Sequence, residues 1–134
     1  MSVPSGNPSD PGCATSRVLR RMYELIDGPS PERCRELLAQ DLRFSIVFSN
    51  GPGAAQDFAG GREAFDGYLS QRGTPTWTHH VLTETAHGDI EVVLGETRRD
   101  GAPLATFVAA ARVDADGRMD RYVVGRSTAV LFEP

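Results

Sequence analysis

The stretch FVAAARV, residues 107–113, decides how this chain is read. Three consecutive alanines favour a helix, while Phe107, Val108 and Val113 favour a strand. The flanks settle the choice: Asp100-Gly101 precedes the stretch and DADG (114–117) follows it, and both are turn sequences that join antiparallel strands. A segment held between two reversals is a strand, its context overriding the helical preference of Ala109, Ala110 and Ala111. Its methyl-sized side chains then leave space that a packed core would fill, and the expected occupant is a ligand.

Working outward, Gly88-Asp89 separates WTHHVLTETA (77–86) from IEVVLGETR (90–98), so the C-terminal half reads as a meander of four strands. Towards the N-terminus, LRFSIVFS (42–49) alternates Phe44, Ile46 and Phe48 with Arg43, Ser45 and Val47, which is strand periodicity. NGPGAAQDFAGG (50–61) reads as a plain loop; Gly51 and Gly53 resemble the start of a dinucleotide fingerprint, but the third glycine is missing and Pro52 lies between them. Three segments have helical spacing. SRVLRRMYELIDG (16–28) aligns Val18, Leu19, Met22, Leu25 and Ile26, with Ser16 as N-cap and Gly28 as stop. SPERCRELLAQD (30–41) has Ser30 as cap, Pro31 at the first position and Cys34, Leu37 and Leu38 on one side. GREAFDGYLSQRG (61–73) puts Phe65, Tyr68 and Leu69 on one face and ends at Gly73.

At 134 residues the chain fits one domain, expected over 15–134 after a disordered leader at 1–14. The leader has neither a basic nor an apolar signal region, and no run approaches the roughly 20 apolar residues of a membrane span, so a cytoplasmic protein is expected. A net charge of −4 argues against nucleic-acid and anionic-membrane partners. Cys13 and Cys34 have neither metal-ligand nor redox spacing, and Cys34 reads as a small buried residue. His79, His80 and His87 lack ligand spacing, so no metal and no cofactor are expected.

Strand pairing can be counted from the turns. A two-residue turn at Asp100-Gly101 sets Glu96 against Ala105, Leu94 against Phe107 and Val92 against Ala109. A four-residue DADG loop sets Ala111 against Asp120, Ala109 against Tyr122 and Ala105 against Arg126. One face then carries Leu94, Glu96, Arg98, Ala105, Phe107, Ala109, Ala111, Asp120, Tyr122, Val124 and Arg126. A slip of two residues would keep these faces and a slip of one would invert them. Glu96 and Arg126 flank Ala105 and can pair across it. Candidate acid–base groups are Asp120, Glu96, Tyr122, Arg126 and one of His79 and His80, which point to opposite faces; the length of the Gly88-Asp89 turn decides which. Tyr68, Trp77, Leu94, Arg98, Ala105, Phe107, Ala109, Ala111 and Val124 complete the expected ligand-binding surface.

The order helix, helix, strand, helix, then four strands makes an α+β domain with helices on one face of a curved antiparallel sheet. With LIDGPSPERCRELLAQDLRF, FAGGREAFDGYL and DADGRMDRY, it resembles the SnoaL-like, polyketide cyclase-related branch of the nuclear transport factor 2-like superfamily over residues 15–132. The resemblance implies a conical, cystatin-like α+β barrel, a pocket between sheet and helices, and a homodimer. It also implies a hydrophobic, polyketide-like carbonyl compound as substrate, with proton abstraction beside the carbonyl; a non-catalytic binding or dimerisation module of the same fold is the alternative. Two constellations known on this fold are missing. Ketosteroid isomerases use an aspartate base with a tyrosine and a protonated aspartic acid, and those positions fall near Ile46, near Arg21 or Met22 beside Tyr23, and on Ala109. The Asp–Arg–Asp set of limonene epoxide hydrolases falls near Val124, Val92 and Leu94.

Overall fold

A computed structural model describes residues 17–49, 55–72 and 76–132; the expected leader and Ser16, Gly51, Gly53 and Gly73 lie outside them. The elements are α1 (Val18–Asp27), a 3-10 helix (Pro31–Leu37), β1 (Leu38–Ser49), β2 (Ala55–Gly60), α2 (Arg62–Arg72), β3 (Thr78–His87), β4 (Ile90–Arg99), β5 (Ala102–Val113) and β6 (Met119–Ser127). FVAAARV is strand, within β5. The six strands form one sheet in the order β2-β1-β6-β5-β4-β3. The sheet is mixed: β1 runs parallel to β6, and every other neighbouring pair is antiparallel.

The amphipathic pattern of α1 is satisfied by burial of Val18, Leu19, Met22, Tyr23, Leu25 and Ile26. Its N-terminus is capped by a residue 72–74 positions away: the Glu91 carboxylate, from β4, accepts the backbone N–H groups of Arg17, Val18 and Leu19 at 2.9–3.2 Å. Negative charge and acceptor lone pairs are what a helix start needs. Gly28 ends α1 as expected, donating its N–H to the Leu25 carbonyl.

Two elements differ from the sequence reading. The second helix is a 3-10 helix that stops at Leu37, because Leu38 is taken by the sheet, where it pairs with Met119 and is buried. The Ala55–Gly60 part of the expected loop is an edge strand, paired with β1 so that Phe58 lies opposite Ile46. In α2, Phe65 is buried while Tyr68 and Leu69 pack partly buried against the same core.

Among the register shifts of the described strands, three bear on the faces of β3 to β6. Between Thr97↔Ala105 and Arg98↔Pro103, β5 holds one extra residue, so Leu94 lies opposite Val108, Glu96 opposite Thr106 and Val93 opposite Ala109. Proline has no N–H for the ladder, and a bulge at this place accommodates it. This one-residue slip turns Leu94, Glu96 and Arg98 to the outer face and Glu91, Val93, Gly95 and Thr97 inward. β6 is offset from the counted register by two residues, with Ala111 opposite Tyr122, Ala109 opposite Val124 and Phe107 opposite Arg126, so its faces are as expected. The exception is Asp120, which sits at a bulge between Arg112↔Arg121 and Val113↔Met119. The third bulge, between Val81 and Thr83, brings His79 opposite Thr97 and His80 opposite Glu96.

Ala105, Ala109 and Ala111 do face inward and are buried. Their space is not a cavity, however. α1 lies across β3, β4 and β5, and its Leu19, Met22 and Tyr23 join Ala109 and Ala111 in one core. Interiors are close-packed, so small side chains on a sheet let a helix come nearer rather than leaving a void. Cys34 is fully buried in the same core, which pushes its thiol up to about 12.

Candidate functional site

The inner cavity lies beyond the alanines, where the C-terminal end of α1, the end of α2 and the inner face of the sheet converge. α1 supplies Tyr23 and Ile26, α2 supplies Phe65, Tyr68 and Arg72, and the strands supply Ile46, Phe48, His79, Thr97, Phe107, Tyr122, Val124 and Arg126. Trp77, just before β3, closes one side. The cavity volume is about 30 Å³. A recess of about 180 Å³ adjoins it, bounded by Phe48, Phe58, Tyr68, Gln71, Arg72 and Trp77. Phe48, Tyr68, Arg72 and Trp77 are common to both, so these side chains form the partition between them.

His79 is the group in the cavity able to move a proton near neutral pH. Its backbone N–H donates to Asp27 Oδ2 at 2.6 Å, and its Nδ1 lies 3.0 Å from Asp27 Oδ1. A carboxylate only accepts, so Nδ1 carries the proton and Nε2 holds the free lone pair of the neutral ring. Burial lowers the His79 pKa from its ordinary 6.5, and the Arg72 and Arg126 charges act in the same direction against the opposing pull of Asp27. The ring is fixed by stacking on Tyr23 at 4.6 Å and by edge contacts with Phe107 and Trp77. Gly95 makes room for that arrangement: a Cβ there would come within 2.6 Å of Phe107 Cε2 and 2.7 Å of the His80 carbonyl oxygen.

Tyr23 and Tyr122 share one hydrogen bond, with their hydroxyl oxygens 2.9 Å apart. Burial pushes both phenols well above their usual range, so both stay protonated. Two hydroxyls joined by a single hydrogen bond leave one O–H unspent, available to an incoming oxygen. Arg72 and Arg126 flank Trp77, their guanidinium carbons 4.6 and 4.8 Å from the ring centroid, and Arg126 also lies over Phe48 at 5.4 Å.

Of the expected site residues, the cavity brings together His79, Tyr122, Arg126, Tyr68, Trp77, Phe107 and Val124. It does not include Ala105, Ala109 or Ala111; Ala109 and Ala111 pack in the core with α1. Asp120 is turned away by its bulge and accepts two hydrogen bonds from Arg112 at 2.9 Å, a contact that holds its carboxyl below the usual range. Glu96 and Arg98 pair with each other on the outer face, so Glu96 does not reach Arg126. His80 is also outside, with Nε2 2.7 Å from Thr78 Oγ1, and Leu94 is opposite Val108. Asp27, Arg72, Tyr23 and Thr97 were not among the expected site residues. Asp27 carried one available signal, an acid beside the glycine stop of an amphipathic helix, where a cation is the stabilising choice. Among the described residues no three His, Cys, Asp or Glu side chains converge as a metal would require, and no helix is long and apolar enough to cross a membrane.

No family model matches the chain, and no curated protein matches it. Solved structures do. IdmH of Streptomyces antibioticus, a proposed polyketide cyclase, matches with TM-score 0.61 at 22% identity over 89% of this chain and 91% of its own. A proposed isomerase of the SnoaL-like family from Agrobacterium tumefaciens matches with TM-score 0.62 at 16% identity, covering 81% and 93%. A proposed ketosteroid isomerase from Kribbella flavida matches with TM-score 0.63 at 20% identity, covering 87% and 80%. Together with the order of elements and strands, these likenesses show the fold: the chain has the same fold as these SnoaL-like and ketosteroid isomerase-like structures.

Proposed function

We propose that the protein acts on an apolar, polyketide-like small molecule bearing a carbonyl, and removes a proton from the carbon beside that carbonyl. The observation that carries this reading is the Asp27–His79 contact, which leaves a bare Nε2 in a cavity also lined by phenols and guanidinium groups. Nε2 takes the proton, and the electrons of the broken C–H bond pass into the enolate. The unspent O–H of the Tyr23–Tyr122 pair and the Arg126 guanidinium stabilise the oxygen on which charge develops. Return of the proton to a different carbon makes the reaction an isomerisation; attack of the enolate carbon on a second carbonyl makes it a cyclisation. The substrate enters through the recess, displacing the Trp77 side chain from the partition. The homodimer uses the outer face of the sheet, where Val47, Val108 and Val123 are exposed on β1, β5 and β6 around Gly125.

Exchange of α-hydrogen for deuterium in 2-tetralone, an apolar ketone, tests the reading without knowledge of the natural substrate. The protein in heavy water speeds exchange over buffer, and His79→Ala loses about 10²-fold or more of that acceleration. Exchange no faster than in buffer, or undiminished in His79→Ala, rejects His79 as the base.

A further inference from the structure

We propose that the substrate of this cavity is a carboxylic acid, held as its monoanion between Arg72 and Arg126, an inference that rests on the cavity being the substrate site. The two guanidinium groups reach the same indole from separate elements, one from the end of α2 and one from β6. The Arg72 side chain is only 8% exposed. Arg72 Nε and Nη2, Arg126 Nε and Thr97 Oγ1 are buried with no hydrogen-bond partner among the described residues. A guanidinium keeps its proton at any accessible pH, so it cannot escape the cost of burial by neutralising itself. Indole faces offset part of that cost, but they supply no acceptor for the N–H groups.

Asp27 is the one carboxylate among the described residues that faces these cations, and it does not satisfy them. Its Oδ1 lies 3.9 Å from Arg72 Nη2, beyond hydrogen-bond distance, and both of its oxygens are engaged by His79. With His79 neutral, two positive charges face one negative charge. One unit of positive charge is left over, matching one carboxylate. Water can satisfy orphaned donors but not that charge. A carboxylate does both, since its two coplanar oxygens fit the guanidinium fork. The adjoining recess, walled by Phe48, Phe58, Tyr68 and Trp77, is where the apolar body of such an acid fits.

Trp77 is the single tryptophan of the chain, so its emission reports on this site alone. The full-length protein is titrated with 3-phenylpropanoate, with its methyl ester and with its primary amide, following tryptophan fluorescence. The acid binds at least about tenfold more tightly than the ester or amide, the difference expected for one charge-assisted pair. Arg72→Gln abolishes that preference and leaves ester affinity within about twofold, and Arg126→Gln abolishes the preference as well. Equal binding of acid and ester by the wild type overturns the anion site while leaving an apolar-ligand pocket intact. Failure of all three probes to change Trp77 emission overturns both. Should either variant fail to fold, the wild-type comparison of acid with ester decides the matter unaided.

Discussion

Replacing Glu91 with glutamine tests the join between α1 and the sheet on which the site depends. The Glu91 carboxylate is 5% exposed and accepts three backbone N–H groups at the start of α1. Glutamine keeps one acceptor oxygen but turns an NH₂ group toward at least one of those donors, and it removes the negative charge. An unsatisfied buried donor costs about 1–3 kcal/mol, and loss of a partly buried charge at a helix N-terminus costs up to about 2 kcal/mol. A combined loss of roughly 3 kcal/mol is a large share of the 5–15 kcal/mol typical of a domain. At this chain length it lowers the melting temperature by roughly 10 °C. Thermal unfolding followed by circular dichroism measures the shift, with Glu24→Gln as control: its partner Arg21 is on the surface, and such pairs contribute about 0–1 kcal/mol. If Glu91→Gln melts within about 2 °C of that control, the long-range cap does not hold α1, and the reasoning fails.

Titration of His79 followed by NMR places its pKa below 6.5, and Asp27→Asn lowers it further by removing the carboxylate that favours the charged ring. The unfolded chain then binds a proton that the folded one does not, so stability falls as the pH drops below about 6.5 through the folded pKa; a pKa above 6.5 contradicts this. Ala109→Leu lowers stability by about 1–3 kcal/mol through overpacking under α1, measured by urea unfolding, and leaves Trp77 emission unchanged. Unaltered stability with altered emission would return Ala109 to the cavity floor.

The element order was legible because turn pairs, helix stops and apolar periods agree along most of the chain. The inward faces of β5 and most of β6 were legible as well, since the counting error there was two residues and parity survived it. The face of β4 was not, because the bulge beside Pro103 adds one residue and reverses every pairing beyond it. Pro103 itself was the signal: a proline in a strand, here its second residue, argues for a bulge or an edge. Asp120 was misplaced by the same kind of event, since a bulged residue leaves the alternation on which the count relied. Asp27 and Arg72 escaped notice for a different reason. Both close helices, where charged residues are common, and only the folded chain shows that the two helix ends meet over His79 and Trp77. The alanines were read correctly as strand and wrongly as vacancy, because periodicity reports which way a side chain faces but not what lies against it.

The place of β6 in the sheet also governs how the domain can assemble. It is the last in sequence of the described strands, yet it lies between β1 and β5, joining the β1–β2 pair to the β3–β4–β5 sheet. Until residues 119–127 leave the ribosome, each part keeps an unpaired edge that the other cannot fill. Tyr122 and Arg126 arrive on that final strand, so the cavity is completed in the same event that closes the sheet. Closure of the sheet therefore waits for β6, and the interval before β6 pairs is when the nascent chain is most open to association with other strands.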